Sequence, residues 1–154
     1  MKSTKDFFGH KVRVRACGLC YRGEALLLVK HIIDGRVLWA PPGGAVEAGE
    51  TIAQTLVREF KEETSLTVKP GPFLFLTEYL QQPLHAIELF YKIESYTGTI
   101  AAGHDPELPD RQIILALDFF DQKKLAQIPG QQRHHMLKSC NNPIELLAKR
   151  GHLT

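Results

Sequence analysis

Apolar and polar positions fall into short blocks along this 154-residue chain, and the blocks predict a strand-rich domain built around one well-marked helix. Residues 11–21 read as a strand. After a turn at Arg22-Gly23-Glu24, the run Ala25-Leu26-Leu27-Leu28-Val29-Lys30 has the length and continuity of a buried strand. Asp34-Gly35 is a hairpin signal, leading to a short strand at Val37-Leu38-Trp39. Further strands are expected near 72–80, 85–95 and 112–119, with helices near 121–128 and within 131–150. In the 85–95 segment Ile87, Leu89, Tyr91 and Ile93 share one face, while Glu88, Lys92 and Glu94 fall mostly on the other. Strands, one helix, more strands and then helices point to an α/β fold with a mixed sheet and helices on its faces.

The marked helix follows a loop over 40–50. Thr51 is placed to cap it, and Gln54 three residues on completes a capping box. Ala53, Leu56, Val57 and Phe60 recur at the spacing of a core-facing stripe. Glu59, Glu62 and Glu63 gather on another side, roughly 120° away at about 100° per residue. Residues three and four apart are neighbours on a helix, so these like charges repel and raise one another's pKa. A divalent cation among the oxygens would resolve that repulsion, and hard carboxylate ligands suit Mg²⁺ or Mn²⁺. The plainer alternative is an amphipathic helix with a solvated acidic face. Against it, Arg58 and Lys61 do not look placed to neutralise all three acids. The pattern predicts a metal-dependent enzyme acting on phosphates.

Composition narrows the picture. A single domain over 1–154 is expected, and 44% hydrophobic with 23% charged residues is ordinary for a globular protein. The net charge of +2 comes without a basic run, so no nucleic-acid polymer is expected as partner. No apolar run is long enough for a bilayer, and Met1 to Phe8 lacks an apolar signal core. A cytoplasmic monomer or homodimer is the expectation. Three cysteines argue against a disulfide framework, and Cys17 and Cys20 should point to opposite faces of their strand rather than share a metal.

Residues 44–66 resemble the Nudix hydrolase signature, GX5EX7REUXEEXGU with U a bulky apolar residue. The matching residues are Gly44, Glu50, Arg58, Glu59, Phe60, Glu62, Glu63 and Leu66, preceded by a similar lead-in, Leu38-Trp39-Ala40-Pro41-Pro42-Gly43. Ser65 departs from the family glycine. The resemblance implies a Nudix α/β/α sandwich with a mixed central sheet. It also implies Mg²⁺-dependent hydrolysis of the pyrophosphate bond in a nucleoside diphosphate linked to another moiety, ADP-ribose-like or a (d)NTP. A silent nucleotide-binding module of the same fold is the alternative. By the same resemblance Glu59, Glu62 and Glu63 are the metal ligands, with the Gly44 carbonyl as an addition. Arg58 orients one of the glutamates, and Glu50 is an acid behind the ligands or a weak ligand.

A general base is sought on the loop 103–112, where Glu107 is preferred over Asp105 and Asp110. Arg15, Arg13 and Arg36 are candidate phosphate holders, with Arg15 favoured as a strand arginine in a cleft. Trp39, Tyr79 and Tyr91 are expected in the core or at its rim. Pro83 and Tyr79 lie near the family's substrate-distinguishing positions without being in register. His134 and His135 are read as a solvated helix start, because adjacent residues on an α-helix diverge by about 100° and share an ion poorly.

Overall fold

Strand β1, Val12–Leu19, is the axis of the fold. The computed structural model describes residues 10–33, 35–103 and 112–154. β1 lies parallel to β7 (Leu84–Thr97) and antiparallel to β5 (Gly43–Ala45). β6 (Thr67–Gln81) and β9 (Gly151–Leu153) complete a mixed five-stranded sheet in the order β5-β1-β7-β6-β9. A second, antiparallel sheet is centred on β3 (Ala25–Ile33). It is joined on one edge by β8 (Gln112–Phe120) and on the other by β2 (Tyr21–Arg22) and β4 (Arg36–Ala40). Ile33 pairs with Arg36, so β3 and β4 form the tight hairpin expected at 34–35.

Two apolar cores lie on opposite faces of these sheets. One joins Ala16, Cys20 and Leu27 to Leu56 and Phe60 of the long helix α1, Ile52–Thr64. The other joins Cys17, Leu19, Leu26 and Leu28 to Phe120, Leu125, Met136, Leu137 and Leu146 of the C-terminal segment. The molecule is thus a three-layer α/β sandwich, helix on one face and short helical turns on the other. Cys17 and Cys20 fall in different cores, as strand alternation requires. Burial pushes both thiols up to about 12, which leaves them inert as nucleophiles or ligands at neutral pH. No helix among the described residues is long and apolar enough to cross a membrane.

Helix α1 begins where expected. Gln54 N–H donates to Thr51 Oγ1 at 3.1 Å and Thr51 N–H to Gln54 Oε1 at 2.8 Å, closing the capping box. Its buried face differs from the expected stripe. Leu56 and Phe60 are fully buried and contribute roughly 1.5–3 kcal/mol each. Ala53 and Val57, however, are exposed, and Thr55, Glu59 and Glu63 are buried in their place. The face is rotated because polar partners on β5 and in the preceding loop receive those side chains.

The helix ends at Ser65, whose φ of 68° places it in the left-handed region, with its N–H on the Lys61 carbonyl. A Cβ there costs on the order of 1 kcal/mol. Ser65→Gly is therefore expected to stabilise the fold by about 0.5–1 kcal/mol in denaturant melts, at the expense of the 3.3 Å bond from Ser65 Oγ to the Ala101 carbonyl. Turnover should change by less than about twofold, a barrier change of roughly 0.4 kcal/mol. A larger loss would make Ser65 part of the site.

Three other expectations are corrected. The strand expected at 72–80 begins at Thr67, because the ladder shifts register around Pro70 and Phe73 and so accommodates Pro70-Gly71. The helices expected in 131–150 are instead three 3₁₀ turns, Gly130–Gln132, His135–Leu137 and Pro143–Ala148. Pro129, Gly130 and Pro143 prevent a continuous helix there. The helix near 121–128 is a single turn, Gln122–Leu125, capped by Asp121.

Candidate active site

Glycines 43 and 44 sit on β5, and two helix carboxylates close on them. Glu63 Oε1 accepts the Gly43 N–H at 2.8 Å. Glu59 reaches Gly44 so closely that a Cβ at that position would stand 2.2 Å from Glu59 Oε1. Both acids are buried, at 6% and 2% exposure, whereas the Glu62 side chain on the outer flank is 27% exposed.

Arg58 ties this edge together more fully than its sequence position suggested. Its Nε and Nη2 grip both oxygens of Glu50 at 2.8 and 3.0 Å. Nη1 reaches Glu59 at 2.8 Å and Glu62 at 3.4 Å, and Nη2 also meets the Ala45 carbonyl at 3.2 Å. The fork therefore links the loop, β5 and two of the three helix acids. Its hydrogen bond to Glu50 raises the Arg58 pKa, and the same bond holds the Glu50 carboxyl down at about 2. Glu50 also takes the Thr55 hydroxyl at 2.6 Å, so both of its oxygens are engaged by protein donors. Lys61 turns away to the Ser65 carbonyl.

His31 of β3 brings the second sheet to the site. Its Nε2 is 3.7 Å from Glu63 Oε2. Burial, assisted by the charge of Arg15, lowers its pKa to about 3. His31 is thus a neutral neighbour of Glu63 at ordinary pH, and the 3.7 Å approach is not an ion pair. Gly103 N–H donates to the Glu63 carbonyl at 3.2 Å, which holds Gly103 beside the end of α1. Glu107, Asp105 and Asp110 lie outside the described residues.

Arg15 lies on β1 one register step from the glycines, since Arg15 faces Ala45 where Ala16 faces Gly44. Its Nη1 donates to Glu88 Oε2 at 2.8 Å. Glu88 overturns the expectation of a polar outer face on β7, being only 2% exposed. His134 and His135 also differ from the solvated helix start. His134 is 6% exposed with Nε2 2.9 Å from both Glu88 oxygens, and His135 Nε2 meets Thr77 Oγ1 at 3.1 Å. The reason is local backbone. His134 is an extended cap ahead of a 3₁₀ turn, so α-helical divergence does not apply and the two rings lie 4.1 Å apart. No periodicity signals this cluster; a glutamate facing an apolar strand and an adjacent histidine pair were the only traces.

Of the aromatics, Trp39 packs edge-on against Phe120 and lines an open groove of about 380 Å³ with Asp118, Lys124 and Gln132. Tyr91 packs on Phe73, and Tyr79 stacks on His135 with the rings 8° apart. Arg36 is exposed at the hairpin.

The hard oxygen donors and a Cβ-free backbone at Gly44 fit a small divalent cation. A family model described as NUDIX domain matches residues 9–136. Phosphatase NudJ of Escherichia coli (strain K12) is 34% identical over 65 residues, a stretch spanning 42% of this chain and 42% of that protein. The fold is similar to the MutT NUDIX hydrolase from Burkholderia pseudomallei, with TM-score 0.70 at 22% identity over 90% of this chain and 99% of that one. An ADP-ribose pyrophosphatase from Streptococcus suis 89-1591 has TM-score 0.58 at 15% identity, covering 92% of this chain and 98% of that one. The carboxylate edge on α1, the paired glycines of β5 and the match across most of the chain lead to one conclusion: this protein belongs to the NUDIX family.

Proposed function

We propose that this chain is a divalent-metal-dependent pyrophosphohydrolase. Its substrate would be a nucleoside diphosphate linked to another moiety, ADP-ribose-like, or a (d)NTP. The observation that carries the reading is the approach of Glu59 and Glu63 to Gly43-Gly44, with Glu62 on the open flank. The names of its relatives, a phosphatase, a MutT hydrolase and an ADP-ribose pyrophosphatase, agree with that class of reaction.

Glu59, Glu62, Glu63 and the Gly44 carbonyl would hold Mg²⁺ or Mn²⁺. When bound, such an ion supplies charge neutralisation at the phosphates and a lowered pKa for a coordinated water. The protein's own work is positional. Arg58 fixes Glu59 and Glu62, Glu50 fixes Arg58, and the Gly43 amide fixes Glu63. Glu107 belongs to the proposal as general base, and Gly103, upstream of it in the sequence, is bonded to the Glu63 carbonyl. Three buried free cysteines support a reducing, cytoplasmic setting.

A panel of nucleotides assayed with Mg²⁺, reading released phosphate after phosphatase coupling, tests the activity. In parallel, Mg²⁺ or Mn²⁺ at ten times Kd should stabilise the wild type by roughly 1.4 kcal/mol, and Glu59→Gln far less. No hydrolysis across the panel together with an intact metal response would favour the silent binding module instead. Equal stabilisation of both proteins would place the ions elsewhere.

A further inference from the structure

Glu88, His134 and His135 bring three ligand-type atoms within 4.8 Å of one another, outside the acidic edge of α1. The arrangement invites a transition-metal reading, but its hydrogen bonds run against one. The Met136 N–H donates to His134 Nδ1 at 3.1 Å, so that nitrogen offers its lone pair and the ring proton sits on Nε2. Nε2–H then donates to Glu88, to which it lies 2.9 Å from either oxygen. A metal at Nε2 would require the opposite tautomer and would set an N–H against the Met136 amide. The Thr77 hydroxyl, 3.4 Å from Glu88 Oε1, donates in the same direction and accepts from His135. Tyr79 holds the His135 ring by stacking.

All these donors converge on one carboxylate, and that carboxylate grips one arginine. Burial opposes the Glu88 charge, yet His134, Arg15 and His135 hold its carboxyl down at about 2. Arg15 uses Nη1 for Glu88, while its Nε is buried without a partner among the described residues, and the side chain keeps 21% exposure. Its charge reaches Glu59, Glu63 and His31, so the guanidinium lies within the field of the acidic edge. A buried ion pair stabilises a fold less than apolar packing of the same volume, and its better-attested uses are in specificity. A planar fork with donors to spare, fixed before a ligand arrives, matches a phosphate and loses little entropy on binding it.

We propose that Arg15 binds a phosphate of the substrate's diphosphate, and that Glu88 and His134 are positioning residues that hold its guanidinium in place. The inference rests on the hydrolase reading and assigns the substrate's anionic half to a residue on β1, across from the helix acids.

The test uses methylenediphosphonate with Mg²⁺, a diphosphate analogue that cannot be hydrolysed, and reads binding by calorimetry. Arg15→Gln and the isosteric Glu88→Gln should each weaken binding at least about tenfold, and Arg15→Lys should recover part of the loss. KM for the best nucleotide should rise in the same order. His134 should show its proton on Nε2 in nitrogen-detected NMR. Binding within twofold of wild type in folded Arg15→Gln overturns the proposal, as does a wild type that does not bind. A Zn²⁺-induced rise in melting temperature that Glu88→Gln abolishes would also overturn it, by restoring the metal reading. Should Glu88→Gln fail to fold, Arg15→Gln decides alone. Turnover is measured separately, so an inactive protein that still binds through Arg15 fails only the hydrolase reading.

Discussion

Glu62→Gln should lower turnover at least about 10²-fold, or roughly 2.7 kcal/mol in the barrier, while leaving the melting temperature almost unchanged. Glu62 is the cleanest of the three acids to remove. Its side chain is 27% exposed and its bond to Arg58, at 3.4 Å, is the longest of the set. Glu63 accepts the Gly43 amide and Glu59 is buried against Gly44, so removing either also disturbs packing. Glutamine preserves the volume of Glu62 and takes away one charge among close neighbours, which relieves repulsion in the metal-free protein. Steady-state rates with saturating Mg²⁺ and melting curves with and without the ion give both readings on one preparation. Unchanged turnover in a folded variant removes Glu62 from the proposed ligands.

The reach of the sequence stops where partners lie far apart in the chain. Helix α1 was legible because a capping box and a 3.6-residue period are local signals. Strand alternation sufficed to separate Cys17 from Cys20 into two cores. Periodicity could not show that Glu59 and Glu63 are buried, because it ranks residues by hydrophobicity and takes no account of polar partners. The Gly43 amide that receives Glu63 stands 20 positions away, and Glu88 and His134 stand 46 apart. Arg58 likewise looked poorly placed for the acids along the helix alone. Its grip on Glu50 and Ala45 comes from β5 and the lead-in loop, which the helical wheel omits. The C-terminal helices failed for another reason. The segment does bury Met136, Leu137 and Leu146, but prolines and a glycine cut it into single turns.

Gly44→Ala is the sharpest test of the paired-glycine cradle, and it should separate activity from stability. The new methyl would stand 2.2 Å from Glu59 Oε1, 2.4 Å from its Cδ and 2.9 Å from Oε2. All three atoms belong to the far end of one flexible side chain, so the carboxylate swings aside and the strand stays in place. The fold then loses the Glu59 bond to Arg58, on the order of 1–2 kcal/mol. The reaction loses a ligand from its intended position, and a misplacement of about 1 Å costs on the order of 10²-fold in rate. At Gly43 the obstacle is different. A methyl there meets the Ala16 carbonyl oxygen at 2.4 Å and Cys17 Cα at 2.7 Å, backbone atoms of β1 that cannot turn away. Gly43→Ala should therefore break the β1–β5 pairing and lower stability by about 1–3 kcal/mol, as overpacking does in a filled core. Urea melts and turnover measured on both variants distinguish the two behaviours. A Gly44→Ala enzyme with wild-type turnover would mean that Glu59 works from another position, and the cradle would no longer explain why two glycines stand on β5.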